Sequence, residues 1–192
     1  ALRSMAAFAR RLGKSADRWE KHAERVRVGF ERFWNEAAGY CYDVLDGPEG
    51  DDDALRPNQI FAVSLPESPL GPERQRQVVD ACALYLLTSF GLRSLAPSHP
   101  RYQGRYVGGQ RERDGAYHQG TVWGWLLGPF ALAHLRVYKD TEAAQAFLAP
   151  MAHHLSDYGV GSIAEIFDGE PPFAPRGCVA QAWSVAETIR AW

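Results

Sequence analysis

From Thr121 to Tyr138 the chain is almost wholly apolar at helical spacing, and a helix of that composition has no face suited to water. The segment is shorter than the roughly 20 residues that cross a bilayer. No other apolar run in the chain approaches that length, so no membrane span is expected. Protein must therefore cover this helix on all sides, which gives it an inner position. Suitable covers flank it. Glu73 to Phe90, ended by Gly91, reads as an amphipathic helix, and Thr141 to Ser156 is more polar, like an outer partner.

The rest of the chain follows the same plan. Leu2, Met5, Ala6, Ala9 and Leu12 recur at helical spacing until Gly13 stops the run. Ser15 can cap a second helix that carries Trp19, Ala23, Val26, Phe30, Phe33 and Trp34, with a charged opposite face. Tyr40 to Leu45 alternates like a short strand or extended loop, then meets an acidic turn, Asp46 to Asp53. Pro57 sits in the first turn of a short helix through Val63, and Cys178 to Trp192 reads as the last helix. Two irregular stretches, Leu92 to Tyr117 and Gly159 to Arg176, are too long for mere connections, and loops of that length are usually functional.

Helix, helix, loop thus repeats, with outer and inner helices alternating. The expected fold is all-α: a toroid of helical hairpins in which inner helices line a central pit and loops form its rim. These helices are too few for six hairpins. The chain is accordingly read as one domain, 1–192, forming part of such a ring. Inner helices left uncovered would expose apolar flanks and favour self-association. The first residues, Ala1-Leu2-Arg3-Ser4-Met5, already follow the helical pattern and carry no signal peptide, so the chain is expected to begin within a helix.

The formal net charge of −2, with both signs interspersed, offers nothing to attract a nucleic acid. Cys41, Cys82 and Cys178 are odd in number and form no CxxC pair, which points to reduced, mostly buried thiols and a cytoplasmic location. Six Trp, eight Tyr and nine Phe are more telling, because several stand beside Gly, Pro, His or Gln. Such rings can fill a helical core or stack on the flat C–H faces of sugars.

Three segments concentrate polar and aromatic groups: Tyr42-Asp43 with Arg56 to Gln59, Gly115 to Trp123, and Gly161 to Cys178. Glycoside hydrolysis needs two carboxyl groups, one to protonate the leaving oxygen and one to activate water or attack carbon. Glu165 is the candidate for one of them, placed among Ile163, Ile166 and Phe167 and bracketed by Gly161 and Gly169. A structural role, pairing with Arg176 or capping a helix, competes with that reading. Asp168 beside Gly169 reads as a turn-former, and Asp43 as a partner of Arg56 or of a sugar hydroxyl. His118 and Gln119 are directional hydrogen-bonders with Trp123 and Trp125 close by for stacking; they equally suit the satisfaction of a helix N-terminus. His153 and His154 read as surface residues. The Asp46 to Asp53 run misses the EF-hand spacing, so no metal is expected. No phosphate loop or dinucleotide fingerprint occurs, so no cofactor is expected either.

RPNQIFAVSLP (Arg56 to Pro66), YHQGTVWGW (Tyr117 to Trp125) and GSIAEIFDGEPPFAPRGCVAQAWSVAE (Gly161 to Glu187) resemble the C-terminal portion of the amylo-α-1,6-glucosidase domain of glycogen debranching enzymes. The segments keep the family order, and the similarity covers essentially the whole chain. One departure is Gly124, where the family usually has Pro. The resemblance implies an (α/α)6 barrel that hydrolyses α-1,6-linked glucose at glycogen branch points, with glycogen or a branched α-glucan as partner. It implies Glu165 as the catalytic base, and Arg56, Asn58, Gln59, His118, Gln119 and Trp123 as residues contacting glucose. The family's general acid is an Asp in a Trp-Met-Asp segment upstream of the matched region, and this sequence contains no such segment. An incomplete site, and an inactive isolated chain, are therefore expected. Inversion, also implied, would set the two carboxyl groups roughly 6.5–9.5 Å apart. Two other readings are a non-catalytic glycan-binding helical domain and a different toroidal glucosidase of glucoamylase or trehalase type.

Overall fold

A computed structural model describes all of residues 1–192. Helices α1 (Leu2–Arg11) and α2 (Asp17–Phe30) pack on each other around Ala6, Ala9, Ala16 and Trp19. Two small hairpins follow: β1 (Trp34–Asn35) with β2 (Tyr40–Cys41), and β3 (Val44–Gly47) with β4 (Gly50–Asp52). A 3-10 turn, Pro57–Ile60, leads directly into α3 (Phe61–Ser64), and α4 (Pro72–Tyr85) comes next. The second half comprises β5 (Leu87–Thr88), β6 (Gly91–Arg93), α5 (Gln110–Ala116), β7 (Val122–Trp123), α6 (Leu127–Tyr138), α7 (Thr141–Asp157), β8 (Ile166–Phe167), β9 (Pro175–Arg176) and α8 (Ala182–Ala191).

The chain is mostly helical, with α6 at its centre. That helix packs against α3, α4, α7 and α8, and buries Leu127, Gly128, Pro129, Phe130, Ala131 and Ala133. Cover on every side is what its composition required. Lys139 closes it in the left-handed conformation. Asp140 then caps α7, its Oδ1 accepting the Ala143 N–H at 2.9 Å.

The expectation of an all-α chain needs correction. Five strands of two or three residues form one antiparallel sheet, ordered β5-β6-β7-β8-β9. Leu92 lies opposite Trp123, Trp123 opposite Ile166, and Ile166 opposite Arg176. Both long irregular stretches owe their shape to this sheet, and the first also contains α5. Strands this short never build a legible period-2 pattern.

Several helix limits move for the same reason. The Thr121 to Tyr138 segment becomes helical only at Leu127, because Val122 and Trp123 are held in the sheet and Gly124–Leu126 form a 3-10 turn. The Glu73 to Phe90 helix ends at Tyr85, since Leu87 and Thr88 turn back onto β6; there the Thr88 hydroxyl donates to the Gly91 carbonyl at 2.9 Å. Trp34 leaves α2 and pairs with Cys41. The final helix starts at Ala182 rather than Cys178.

Two side chains also depart from expectation. His154 is buried, 2% exposed, whereas Cys178 is exposed and only Cys41 and Cys82 are buried. Burial pushes those two thiols up, Cys41 to about 11 and Cys82 to about 12, so both stay un-ionised near neutrality. No helix is long and apolar enough to cross a membrane.

Gly128 of α6 permits a close approach between helices. A Cβ there would stand inside the contact radius of the Glu187 backbone in α8. Alanine would gain about 1 kcal/mol of helix propensity, but backbone cannot swing aside, and overpacking of this kind costs about 1–3 kcal/mol. So short a contact with backbone puts the cost in the upper half of that range, and net of the propensity gain Gly128→Ala is expected to lower unfolding free energy by about 1–2 kcal/mol in urea titration; an unchanged or raised midpoint would contradict the packing described.

Candidate functional site

The site grows from the entrance to α6. After α5, Tyr117 and His118 turn the chain, and β7 carries Trp123 into the sheet. The rings of Tyr117 and Trp123 meet edge to face at 4.8 Å, and His118 lies parallel to Trp123 at 5.1 Å. The Trp123 indole N–H donates to the Tyr117 carbonyl at 3.1 Å, which fixes the turn. Trp183 of α8 stacks on Trp125 at 5.3 Å, and Trp125 stacks in turn on Phe61 at 5.5 Å. Trp123, Trp125 and Trp183 thereby wall one side of a cavity of about 480 Å³.

The opposite side is polar and organised by Arg56. Its Nη1 donates to the carbonyls of Ser94 (2.9 Å) and His118 (2.7 Å), its Nη2 to Gln119 Oε1 (3.0 Å), and its Nε lies 3.4 Å from Asp43 Oδ2. Asn58 donates to Asp43 Oδ1 at 3.2 Å. One guanidinium therefore ties three separate stretches of chain together, a task suited to its fixed fork of donors. Burial foremost, and the Arg56 charge next, hold the His118 imidazole below its usual range, so it faces the cavity neutral.

Glu165 is not among the residues lining this cavity; it connects to it through Tyr117, whose ring meets His118 and Trp123. The Tyr117 hydroxyl donates to Oε1, and the Cys178 N–H donates to Oε2 at 2.9 Å. Its backbone is equally constrained: its N–H reaches the Cys178 carbonyl at 3.0 Å, and its carbonyl accepts the Gly124 N–H at 3.4 Å. Gly177, at φ +66°, makes room for the carboxylate, since a Cβ there would overlap Oε2. The Tyr117 phenol is pushed well above its usual range, first by burial and then by its bond to Glu165, so it remains a donor near neutral pH.

Arg176 does not pair with Glu165. It pairs with Asp168 at 2.9 Å, and that hydrogen bond raises the Arg176 pKa. Asp168 is 1% exposed and also accepts the Tyr106 N–H at 2.9 Å, so it is a buried anchor of the long loops rather than a surface turn-former. Asp43 does hold Arg56, as the sequence suggested.

Of the residues singled out from the sequence, Arg56, Asn58, His118, Gln119 and Trp123 line one cavity. Gln59 does not. Its Oε1 accepts the Cys41 N–H at 3.1 Å, its Nε2 donates to the Arg56 carbonyl at 3.2 Å, and it faces an adjoining cavity of about 340 Å³. Trp183, Arg101 and the Tyr117 hydroxyl are not singled out as site groups by the sequence, and Asp52, read there only as part of an acidic turn, lines the cavity. Trp183 carried a usable signal: like Trp125 for α6, it stands at the start of a helix that follows a long loop.

This frame is shared with known proteins. The family model described as Amylo-alpha-1,6-glucosidase matches residues 1–190. The chain belongs to the amylo-alpha-1,6-glucosidase family. Among its relatives is the glycogen debranching enzyme of Saccharomyces cerevisiae, 32% identical over 93 residues, which cover 45% of this chain and 6% of that one. Among solved structures, the GH63 mannosylglycerate hydrolase of Thermus thermophilus, in complex with Tris, superposes with a TM-score of 0.72 at 20% identity. That match covers 98% of this chain and 42% of the hydrolase. The same hydrolase in complex with glucose gives 0.72 at 19% identity, covering 98% and 44%. Neutral trehalase Nth1 of Saccharomyces cerevisiae gives 0.59 at 14% identity, covering 93% and 30%. The chain thus spans less than half the length of these proteins.

Within this amylo-alpha-1,6-glucosidase family member, the arrangement can present flat aromatic faces, neutral and anionic hydrogen-bonders, and one carboxylate backed by fixed donors. Its integrity rests on Arg56. Arg56→Lys keeps the charge but cannot reach Ser94, His118, Gln119 and Asp43 together, which leaves carbonyls short of donors at about 1–3 kcal/mol. Urea unfolding is expected to register a loss of that size; a midpoint equal to the parent's would show that the fork is dispensable.

Proposed function

We propose that this chain is the C-terminal part of a glycogen-debranching α-1,6-glucosidase of (α/α)6 toroidal form, and that its cavity receives the terminal glucose of a branch. The observation that carries this reading is a carboxylate held by the Cys178 N–H and by Tyr117, whose ring meets two residues lining a tryptophan-walled cavity, His118 and Trp123, in a chain matched to the family over residues 1–190.

The division of labour follows from the chemistry of a pyranose ring. Its C–H faces suit Trp123, Trp125 and Trp183, whereas its hydroxyls suit the edges of Asn58, His118 and Gln119 and the carboxylates of Asp43 and Asp52. Glu165 acts as general base. Each of its oxygens takes one protein donor and keeps a further lone pair, so a water can be oriented and deprotonated there. A carboxylic acid from sequence preceding Ala1 protonates the departing glycosidic oxygen, and the anomeric carbon is attacked with inversion. The relatives named above include a hydrolase crystallised with glucose, which agrees with a sugar-sized pit in this frame.

A second reading, a glycan-binding domain without chemistry, draws on one fact: both Glu165 oxygens already have protein donors. Glu165→Gln in the enzyme that contains this chain separates the two. Loss of a general base is expected to cut turnover by about 10²–10⁴-fold, while affinity for a branched oligosaccharide changes by no more than a few-fold. Unchanged turnover would leave only the binding reading.

Substrate class has its own test. The same enzyme is expected to release glucose from α-1,6-branched dextrin in preference to linear α-1,4 glucan or trehalose. Release from either of the latter at comparable rate would move the assignment to another glucosidase type.

A further inference from the structure

His154 is the one buried imidazole that the reading above leaves without a task. It sits on the inner side of α7 among Phe167 (4.9 Å between ring centres), Phe90 (5.7 Å) and Tyr158 (6.2 Å). Its Nε2 accepts the N–H of Ala164 at 3.2 Å. Ala164 is fully buried and immediately precedes Glu165. The segment between Tyr158 and Ile163 is otherwise held by backbone bonds alone: the Tyr158 N–H reaches the His154 carbonyl at 3.3 Å, the Gly161 N–H the Leu155 carbonyl at 2.9 Å, and the Gln181 N–H the Ile163 carbonyl at 2.9 Å.

We propose that His154 is a positioning residue for Glu165, its imidazole holding the Ala164 N–H from within α7 so that the next carboxylate meets Tyr117 and the Cys178 N–H. The inference rests on the reading of Glu165 as general base. The geometry explains why an imidazole suits the place. Accepting at Nε2 requires the neutral ring with its proton on Nδ1, and the aromatic surroundings favour that form. Leucine would fill similar space but leave a buried N–H without a partner. Glutamine offers an oxygen at a similar reach and does not titrate.

Protonation would convert Nε2 into a donor aimed at another donor, and the hold on Ala164 would be lost. Burial keeps the imidazole below its ordinary 6.5, with Asp157 on the same helix acting in the opposite sense. From the other elements packed on the ring come Phe90 and Phe167, which do not titrate, and Tyr158. Beyond them stands Asp168, one residue past Phe167, with its charge paired to Arg176. The native state thus binds fewer protons here than the unfolded chain. The positioning is intact above 6.5 and fails as pH drops through the depressed value.

Two variants, His154→Leu and His154→Gln, in the enzyme that contains this chain test the proposal. Hydrogen exchange is read by mass spectrometry on the peptide covering Gly159 to Asp168, alongside kcat, KM and their pH profiles. The leucine variant is expected to speed exchange in that peptide at least tenfold and to lower kcat about tenfold, with KM within twofold. The glutamine variant is expected to restore both and to make the acid limb of the kcat profile shallower by one proton, the general base keeping a limb of its own. Wild-type exchange and kcat in the leucine variant would overturn the proposal, as would an acid limb unchanged by glutamine. Should the leucine variant fail to fold, the glutamine variant still decides through that limb. If Glu165→Gln leaves turnover intact while exchange responds as stated, the catalytic reading falls and the hold on Ala164 stands.

Discussion

Antiparallel pairing of β7 with β8 sets Trp123 opposite Ile166, and the Gly124 N–H reaches the Glu165 carbonyl across the same gap. These few hydrogen bonds join the entrance of α6 to the loop that follows α7. Without them the tryptophan wall and the carboxylate would belong to unrelated surfaces. Each strand is too short to be stable alone. What stabilises them is the hydrophobic contact on either side: Val122 and Phe167 pack with Leu127, Leu148 and Ile163, while Trp123 and Ile166 join the larger core around Phe130 and Leu92.

Burial of α6 and placement of the site are therefore one problem. The helix supplies the apolar mass that α4, α7 and α8 close upon, and the turn that feeds it supplies His118, Gln119 and Trp123. The charged and imidazole groups that shape the loops come with partners. Arg56 is met by two carbonyls, an amide and a carboxylate; Asp168 is met by Arg176 and a backbone N–H; His154 is met by Ala164. The Arg56 bonds and the Asp168–Tyr106 bond join stretches far apart in sequence, the Asp168–Arg176 and His154–Ala164 bonds nearer ones, and all fix loop shape where the backbone has little regular structure to rely on.

How much of this was legible beforehand varied with range. The inner position of α6 followed from local composition, while the grouping of Arg56, Asn58, His118, Gln119 and Trp123 was implied by the family resemblance of the segments that carry them. The sheet followed from neither, because pairs such as Leu92 with Trp123 are set by tertiary contact and leave no periodic trace. The same blindness hid the roles of His154 and Asp168, whose neighbours in sequence look like a helix surface and a turn. Gln59, grouped with Asn58 by proximity in sequence, turns out to serve the backbone of β2. Trp183 was overlooked although its place at the head of α8 parallels that of Trp125 before α6.

The central claim is spatial: a glucose ring rests on the Trp123, Trp125 and Trp183 faces with Glu165 addressing its anomeric carbon through a water. A crystal structure of the enzyme containing this chain, with an α-1,6-linked glucosyl oligosaccharide bound, measures it directly. The account predicts the terminal ring in the cavity between Arg56 and those tryptophans, and one water within hydrogen-bonding distance of both Glu165 and the anomeric carbon. A sugar seated elsewhere, or a Glu165 carboxylate sealed behind Tyr117 with no water between it and the ring, would contradict it.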